Sequence, residues 1–417
     1  MRKRPAVTTG IFVLVIVGVG AAAVLHGTVS ERPGPRVAFQ PPPGSPPRTT
    51  TTMPGSGTST STVTSGAPRL PRSVTLGIDV NRFSRGKGLQ NLPQVLAAAR
   101  RAGATAIRVG QPWAIVQPTP ARTYKWRGLD RILAAAQAQQ LEVLLEMGDT
   151  PAWDVAPRAH GDGAYPPIDC GPSGGCASAR QFVTDLVRHV APFGVRYLIP
   201  RNEPQDTRRN WVGGTAAQYA GFQQAVYEAA HAADPRVKVL NGGEELLPPT
   251  LVDILQRVAD VRGALSFTAS LYADPQFCRS LDVLDVHLGH DGPVYGRAVV
   301  ELSEQAIRRC NGGRPVPVWV TETAYTSLPQ VQAVPSYAPQ LGGAYRDGDA
   351  GQAAFLRDTF EALAGDTDVI GINWSEPLDL PPGATRRPVL TSAPGEGLLR
   401  DDFGEKPAFA MFARLAG

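Results

Sequence analysis

The sequence predicts an α/β fold, a single (β/α)8 TIM barrel over residues 73–417, on three observations. From Val74 onward, short β-branched runs alternate with alanine-rich amphipathic segments, which is the texture of repeated βα units and a parallel sheet. Eight such units can be counted, and the length suits one barrel with insertions. The third observation is a pair of strand ends, Ile199-Pro200-Arg201-Asn202-Glu203-Pro204 and Val318-Trp319-Val320-Thr321-Glu322-Thr323. Each carries a glutamate where a strand gives way to a loop. Carboxylates so far apart in sequence share one site only if the fold gathers the ends of different strands, as a closed barrel does.

The strands are expected at 74–80, 105–109, 141–147, 196–201, 237–241, 283–287, 316–321 and 369–373. Helices are expected at 93–102, 129–139, 177–190, 216–233 and 351–364, with 407–415 closing the chain. Gly103 follows the first helix and Asp234-Pro235 ends the fourth, both stop signals. Segments 150–178, 246–281 and 325–349 read as insertions.

Ahead of the barrel the composition is different. Arg2-Lys3-Arg4 precede an unbroken apolar run from Ile11 to Leu25, a cationic segment before a short apolar one, which marks export. Residues 1–26 fit a signal peptide or an uncleaved N-terminal membrane anchor, with basic residues kept on the cytoplasmic side. Residues 27–72 are rich in Pro, Ser and Thr and read as a disordered linker. The protein is therefore expected to be secreted or held at the cell surface, touching a membrane only through its N-terminal segment.

The 417-residue chain has a net charge of +4, three units of it at Arg2, Lys3 and Arg4, so nothing favours nucleic acid as a partner. Four cysteines fit an oxidising compartment and allow three pairings. The pairing expected here is Cys170–Cys176, stapling a Gly/Pro/Ser loop, with Cys278–Cys310 tying the segments that flank a strand. No Cys-x-x-Cys spacing suggests zinc, and no cofactor is implied.

Glu203 and Glu322 fall after the fourth and seventh strands. The alternative to a shared catalytic role is a structural ion pair with Arg108 or Arg201, which weakens once both glutamates occupy matching strand ends. With Asn202-Glu203-Pro204 and Thr321-Glu322, the domain resembles the retaining glycoside hydrolases of clan A, nearest to family 39 with family 5 as neighbour. Ala106-Ile107-Arg108, Trp113-Ala114-Ile115-Val116, Tyr124-Lys125-Trp126, Asp149-Thr150-Pro151-Ala152-Trp153 and Lys406-Pro407-Ala408-Phe409 extend the resemblance across nearly the whole domain.

The resemblance implies an enzyme that hydrolyses O-glycosyl bonds of a β-linked polysaccharide or oligosaccharide, acting as a monomer. Glu322 would be the nucleophile and Glu203 the acid/base. Arg108 would keep the nucleophile ionised, Asn202 would bind the sugar 2-hydroxyl, and His287 would sit near the nucleophile. Trp374 would floor a sugar ring. Trp113, Trp153 and Trp211, near strand ends, offer further flat apolar faces for sugars, and Tyr325 a phenol. Trp126 and Trp319 read as framework, and Glu146, Glu244 and Glu376 as binders of polar groups. Arg201 and Leu288-Gly289-His290 depart from the family pattern. Two competing readings are a non-catalytic carbohydrate-binding or wall-associated barrel, and a metal hydrolase built on His287-x-x-His290 with Asp285 and Asp291.

Overall fold

A computed structural model describes residues 69–157, 165–171, 174–243, 259–333, 339–381 and 394–417. The signal or anchor segment and the linker up to residue 68 lie outside the described residues, as does Glu244. Among the described residues, no helix is long and apolar enough to cross a membrane. The chain joins the domain at Leu70, whose N–H donates to the Leu415 carbonyl at 3.1 Å.

All eight expected strands form: β1 (Thr75–Asp79), β2 (Ala106–Gly110), β3 (Glu142–Glu146), β4 (Tyr197–Ile199), β5 (Lys238–Val239), β6 (Leu284–His287), β7 (Val318–Glu322) and β8 (Val369–Trp374). Every pairing among them is parallel, and the order is 5-4-3-2-1-8-7-6. That order places β1 beside β8 and leaves one seam, between β5 and β6. There Asn241 replaces a strand ladder with its side chain: its Nδ2 donates to the Asp285 carbonyl at 3.0 Å, and the Asp285 N–H donates to its Oδ1 at 2.6 Å. The Asp282 N–H adds a bond to the Val239 carbonyl at 2.8 Å. A fully buried amide thus closes the barrel, which explains why β5 is shorter than expected.

Helices α1 (Gly88–Arg101), α2 (Arg127–Ala138), α3 (Ala177–Val190), α4 (Ala216–Ala233), α5 (Ala259–Leu271), α6 (Gly292–Cys310), α7 (Gly348–Ala364) and α8 (Pro407–Ala416) complete eight βα units. Thr215 and Gln218 form a reciprocal capping box at the start of α4, each satisfying a backbone N–H of the other. One correction concerns the helices. The segment 246–281 is not wholly an insertion, because α5 and the short helix Pro275–Arg279 within it supply the fifth crossover. The sixth crossover is α6. Both expected disulfides are present, Cys170–Cys176 and Cys278–Cys310.

Two apolar layers follow from the period-2 alternation of strand side chains. Ala106, Leu144, Ile199, Leu240, Val283 and Trp319 fill the barrel interior. A larger layer lies between strands and helices. Gly371 makes room for the Trp319 indole, against which any Cβ would collide. The indole N–H donates to Asn373 Oδ1 at 3.0 Å.

Candidate active site

Six strands deliver a polar or charged side chain to the same end of the barrel, and Arg108 at the end of β2 is the hub. It is fully buried. Its Nη1 donates to Asp79 Oδ2 of β1 at 2.8 Å and to Glu322 Oε1 of β7. Its Nη2 donates to Glu146 Oε2 of β3 at 3.1 Å and to Asn202 Oδ1 beyond β4. The planar fork of a guanidinium satisfies four acceptors from four strands at once, which an ammonium cannot do. Asn81 reinforces the arrangement by donating from Nδ2 to both Asp79 Oδ2 and Glu146 Oε2 at 3.2 Å.

Glu203 follows β4 with a φ of 40°, a left-handed conformation unusual for a side-chain-bearing residue. Its N–H is pinned to the Gly242 carbonyl at 2.8 Å, so neighbouring structure sustains the strain. His287 of β6 stands between the two glutamates: Nδ1 is 3.0 Å from Glu203 Oε1, and Nε2 is 3.6 Å from Glu322 Oε1. One ligand atom from each of Glu203, His287 and Glu322 lies within 4.8 Å of the others. Gly243, at φ 84°, leaves space that a Cβ would take from the His287 ring.

The electrostatics separate the carboxylates. Burial pushes Asp79 up to about 8 despite Arg108, and burial also raises Glu146 and Asp285. For Glu322 the burial penalty is outweighed by His287 and Arg108, which hold it below the usual glutamate range. Burial alone would strip the proton from His287, but Glu322, Glu203 and Asp285 together push it up to about 9. Arg108, surrounded by carboxylates, is raised well above its ordinary value against the cost of burial. At neutral pH the proton is on Asp79, while Glu322 stays charged.

Of the residues anticipated from sequence, the structure brings together Glu203, Glu322, Arg108, Asn202 and His287. The aromatic candidates divide differently. Trp374 is fully buried on the helix side of β8, its Nε1 donating to the Glu396 carbonyl at 2.8 Å and its ring near Phe360 of α7. Its side chain alternates with the inward Asn373, so it offers no face to a sugar, a correction to its expected role. Trp113 is likewise fully buried, stacked on Phe182 at 5.1 Å with Nε1 donating to Gln117 Oε1 at 2.8 Å. Trp211 is buried under the Arg201 guanidinium, and Tyr325 is buried and stacked on Phe355 at 4.4 Å. Trp153, on the β3 loop, keeps exposed surface.

The sequence pattern singles out no role for Asp79, gives Glu146 no partner, and places Asp285 only in the alternative metal cluster. The available signal was position, since Asp79 and Glu146 end strands as Glu322 does. Arg201 turns out to clamp the β3 loop, donating to Asp149 Oδ1 at 3.0 Å, Thr150 Oγ1 at 3.2 Å and the Tyr165 carbonyl at 3.1 Å. His290 does not join His287: its Nε2 meets Glu396 Oε1 at 2.7 Å. Glu203, His287 and Glu322 are close enough to share a cation, yet the Arg108 and His287 charges already neutralise that ground.

No protein-family model matches the sequence, and no curated protein matches it. Solved structures do. The chain is similar to a family 39 glycoside hydrolase from the gut symbiont Bacteroides cellulosilyticus, at 16% identity and a TM-score of 0.54, over 82% of this chain and 64% of that one. It therefore spans just under two thirds of that protein. It is also similar to a family 39 β-xylosidase from Caulobacter crescentus, at 17% identity and a TM-score of 0.55, over 84% and 72% of the two chains. A family 5 (subfamily 18) protein from Bifidobacterium longum matches at 16% identity and a TM-score of 0.57, over 82% and 79%. At these identities the likeness is one of fold, and it falls in the two families whose motifs the sequence resembles.

Proposed function

We propose that the chain is an exported retaining glycoside hydrolase that cleaves a β-linked polysaccharide or oligosaccharide by double displacement. The observation that carries the reading is the Glu203–Glu322 pair, with oxygens within 4.8 Å of each other across His287. Retaining enzymes hold their carboxyl groups about 5–5.5 Å apart, whereas inverting ones leave roughly 6.5–9.5 Å for a water.

In the first step an oxygen of Glu322 bonds to the anomeric carbon while the glycosidic C–O bond breaks, and the leaving oxygen takes the proton of Glu203. In the second, water attacks the same carbon, its proton passes to Glu203, and the Glu322 ester bond breaks to return the carboxylate. Arg108 and His287 favour Glu322 as the ionised partner. Asn202, fixed through Oδ1 by Arg108, is set to offer its amide N–H to a sugar hydroxyl. Export is supported by the basic-then-apolar N-terminus and by the two disulfides.

The test is a screen of aryl β-glycosides, β-xylosides included, and a polysaccharide panel, comparing the wild type with Glu322→Ala and Glu203→Ala. Glu322→Ala should abolish turnover, and azide or formate should restore part of it with inverted product configuration. Wild-type rates in both variants would rule the mechanism out. Glycan binding with no product release over long incubation would favour a non-catalytic binding barrel instead.

A further inference from the structure

Asp285 is a buried carboxylate that the proposed reaction leaves unused. It sits on β6, two residues before His287, with no exposed surface. Its Oδ1 accepts the Thr321 hydroxyl at 2.6 Å and lies 4.0 Å from His287 Nε2. Its Oδ2 has no hydrogen-bond partner among the described residues. The backbone at this residue is held on both sides by Asn241, and the carboxylate itself is held by the Thr321 hydroxyl. Leaving a carboxylate oxygen unpaired in a barrel interior is costly unless a nearby positive charge compensates it.

We infer that Asp285 is a positioning residue acting through His287, holding the imidazolium in place between Glu203 and Glu322 through both halves of the reaction. The inference rests on the double-displacement reading. In the free enzyme the negative charge beside His287 is on Glu322. Once Glu322 is esterified and Glu203 has given up its proton, that charge is on Glu203. His287 therefore exchanges one anionic neighbour for the other in every turnover. Asp285 forms and breaks no bond, so it keeps its place beside the ring, fixed by the Thr321 hydroxyl, while the other two alternate.

The groups facing His287 are Glu203 from the end of β4, Thr321 and Glu322 from β7, Asp285 from its own strand, and Arg108 from β2, which opposes the imidazolium charge. Burial raises Asp285 above the ordinary aspartate range, against the pull of His287, Arg108 and the Thr321 hydroxyl. Charge on the aspartate and charge on the histidine therefore support each other.

The experiment is an NMR titration of the His287 ring, assigned with His287→Gln, in the full-length wild type, Asp285→Asn and Thr321→Val. The pH profile of kcat/KM is measured in parallel. Asp285→Asn preserves shape and the acceptor for Thr321 but removes the charge. It should lower the His287 midpoint by about one unit or more, as expected for losing an anion some 4 Å away, and the basic limb of kcat/KM should fall with it. Thr321→Val removes the hydrogen bond and leaves the charge, so its midpoint should stay near that of the wild type. An unchanged midpoint in Asp285→Asn would overturn the inference, as would an equal shift in Thr321→Val. Should Asp285→Asn fail to fold, a wild-type midpoint at or below the ordinary histidine value would also overturn it. The titration is readable in a protein that cleaves no glycan, so failure of the glycosidase reading and failure of this role are distinguishable.

Discussion

Replacing Arg108 with lysine keeps the positive charge and removes the fork. The guanidinium donates to Asp79, Glu322, Glu146 and Asn202, two acceptors on each terminal nitrogen. A single ammonium has three donors on one atom and cannot span acceptors arranged around two nitrogens. At least one or two charge-assisted bonds are lost, each worth about 1.5–3 kcal/mol. If roughly 2–4 kcal/mol of that is felt in the transition state, kcat/KM falls about 30- to 1,000-fold. The pH dependence adds a sign. Arg108 and His287 hold Glu322 below the ordinary glutamate range. Weakening the Arg108 contact raises Glu322, so the acid limb of kcat/KM moves to higher pH. The same depressed value stabilises the fold above the unfolded glutamate pKa and is lost as pH falls through the folded one. Arg108→Lys should therefore narrow the stability gap between neutral and acidic pH. The assay is kcat/KM across pH on the best hydrolysed glycoside, with thermal unfolding at matched pH. A variant within threefold of wild type and with an unmoved acid limb would refute the hub role.

Three further outcomes follow from the same geometry. Asp79, pushed up to about 8 by burial, contributes stability that is full below its unfolded value near 3.8 and is lost as pH rises toward 8. Asp79→Asn should flatten that decline, read as Tm against pH; an unchanged slope would contradict it. Asn241→Ala leaves the Asp285 N–H and carbonyl without their partners in the barrel seam and should cost about 2–4 kcal/mol in urea unfolding, whereas a loss under ~0.5 kcal/mol would mean the seam closes by other means. Trp374→Phe removes the bond to the Glu396 carbonyl and should cost about 1–2 kcal/mol of stability with KM nearly unchanged. A tenfold rise in KM without loss of stability would restore a sugar-facing role to that indole.

The sequence alone determined the eight strands, most of the helices and the five residues that converge at the strand ends. Local information suffices for these: apolar period and turn residues mark where a strand stops, and barrel closure puts every strand's C-terminal end on one face. It also identified both cysteine pairs. Only the tertiary structure decided what each strand-end group touches. Arg108 meets Asp79 from β1, Glu146 from β3 and Glu322 from β7, and no local pattern in any of those strands reveals the shared guanidinium. The same holds for His290, which spacing grouped with His287 and which instead pairs with Glu396, more than 100 residues downstream. Trp374 shows the limit most plainly. Alternation along β8 establishes that Trp374 and Asn373 point to opposite sides of the sheet, but which side is the cleft depends on how the sheet curls and what packs on it. Contacts between distant elements set the partners and protonation of a charged group, and those contacts exist only once the barrel has closed.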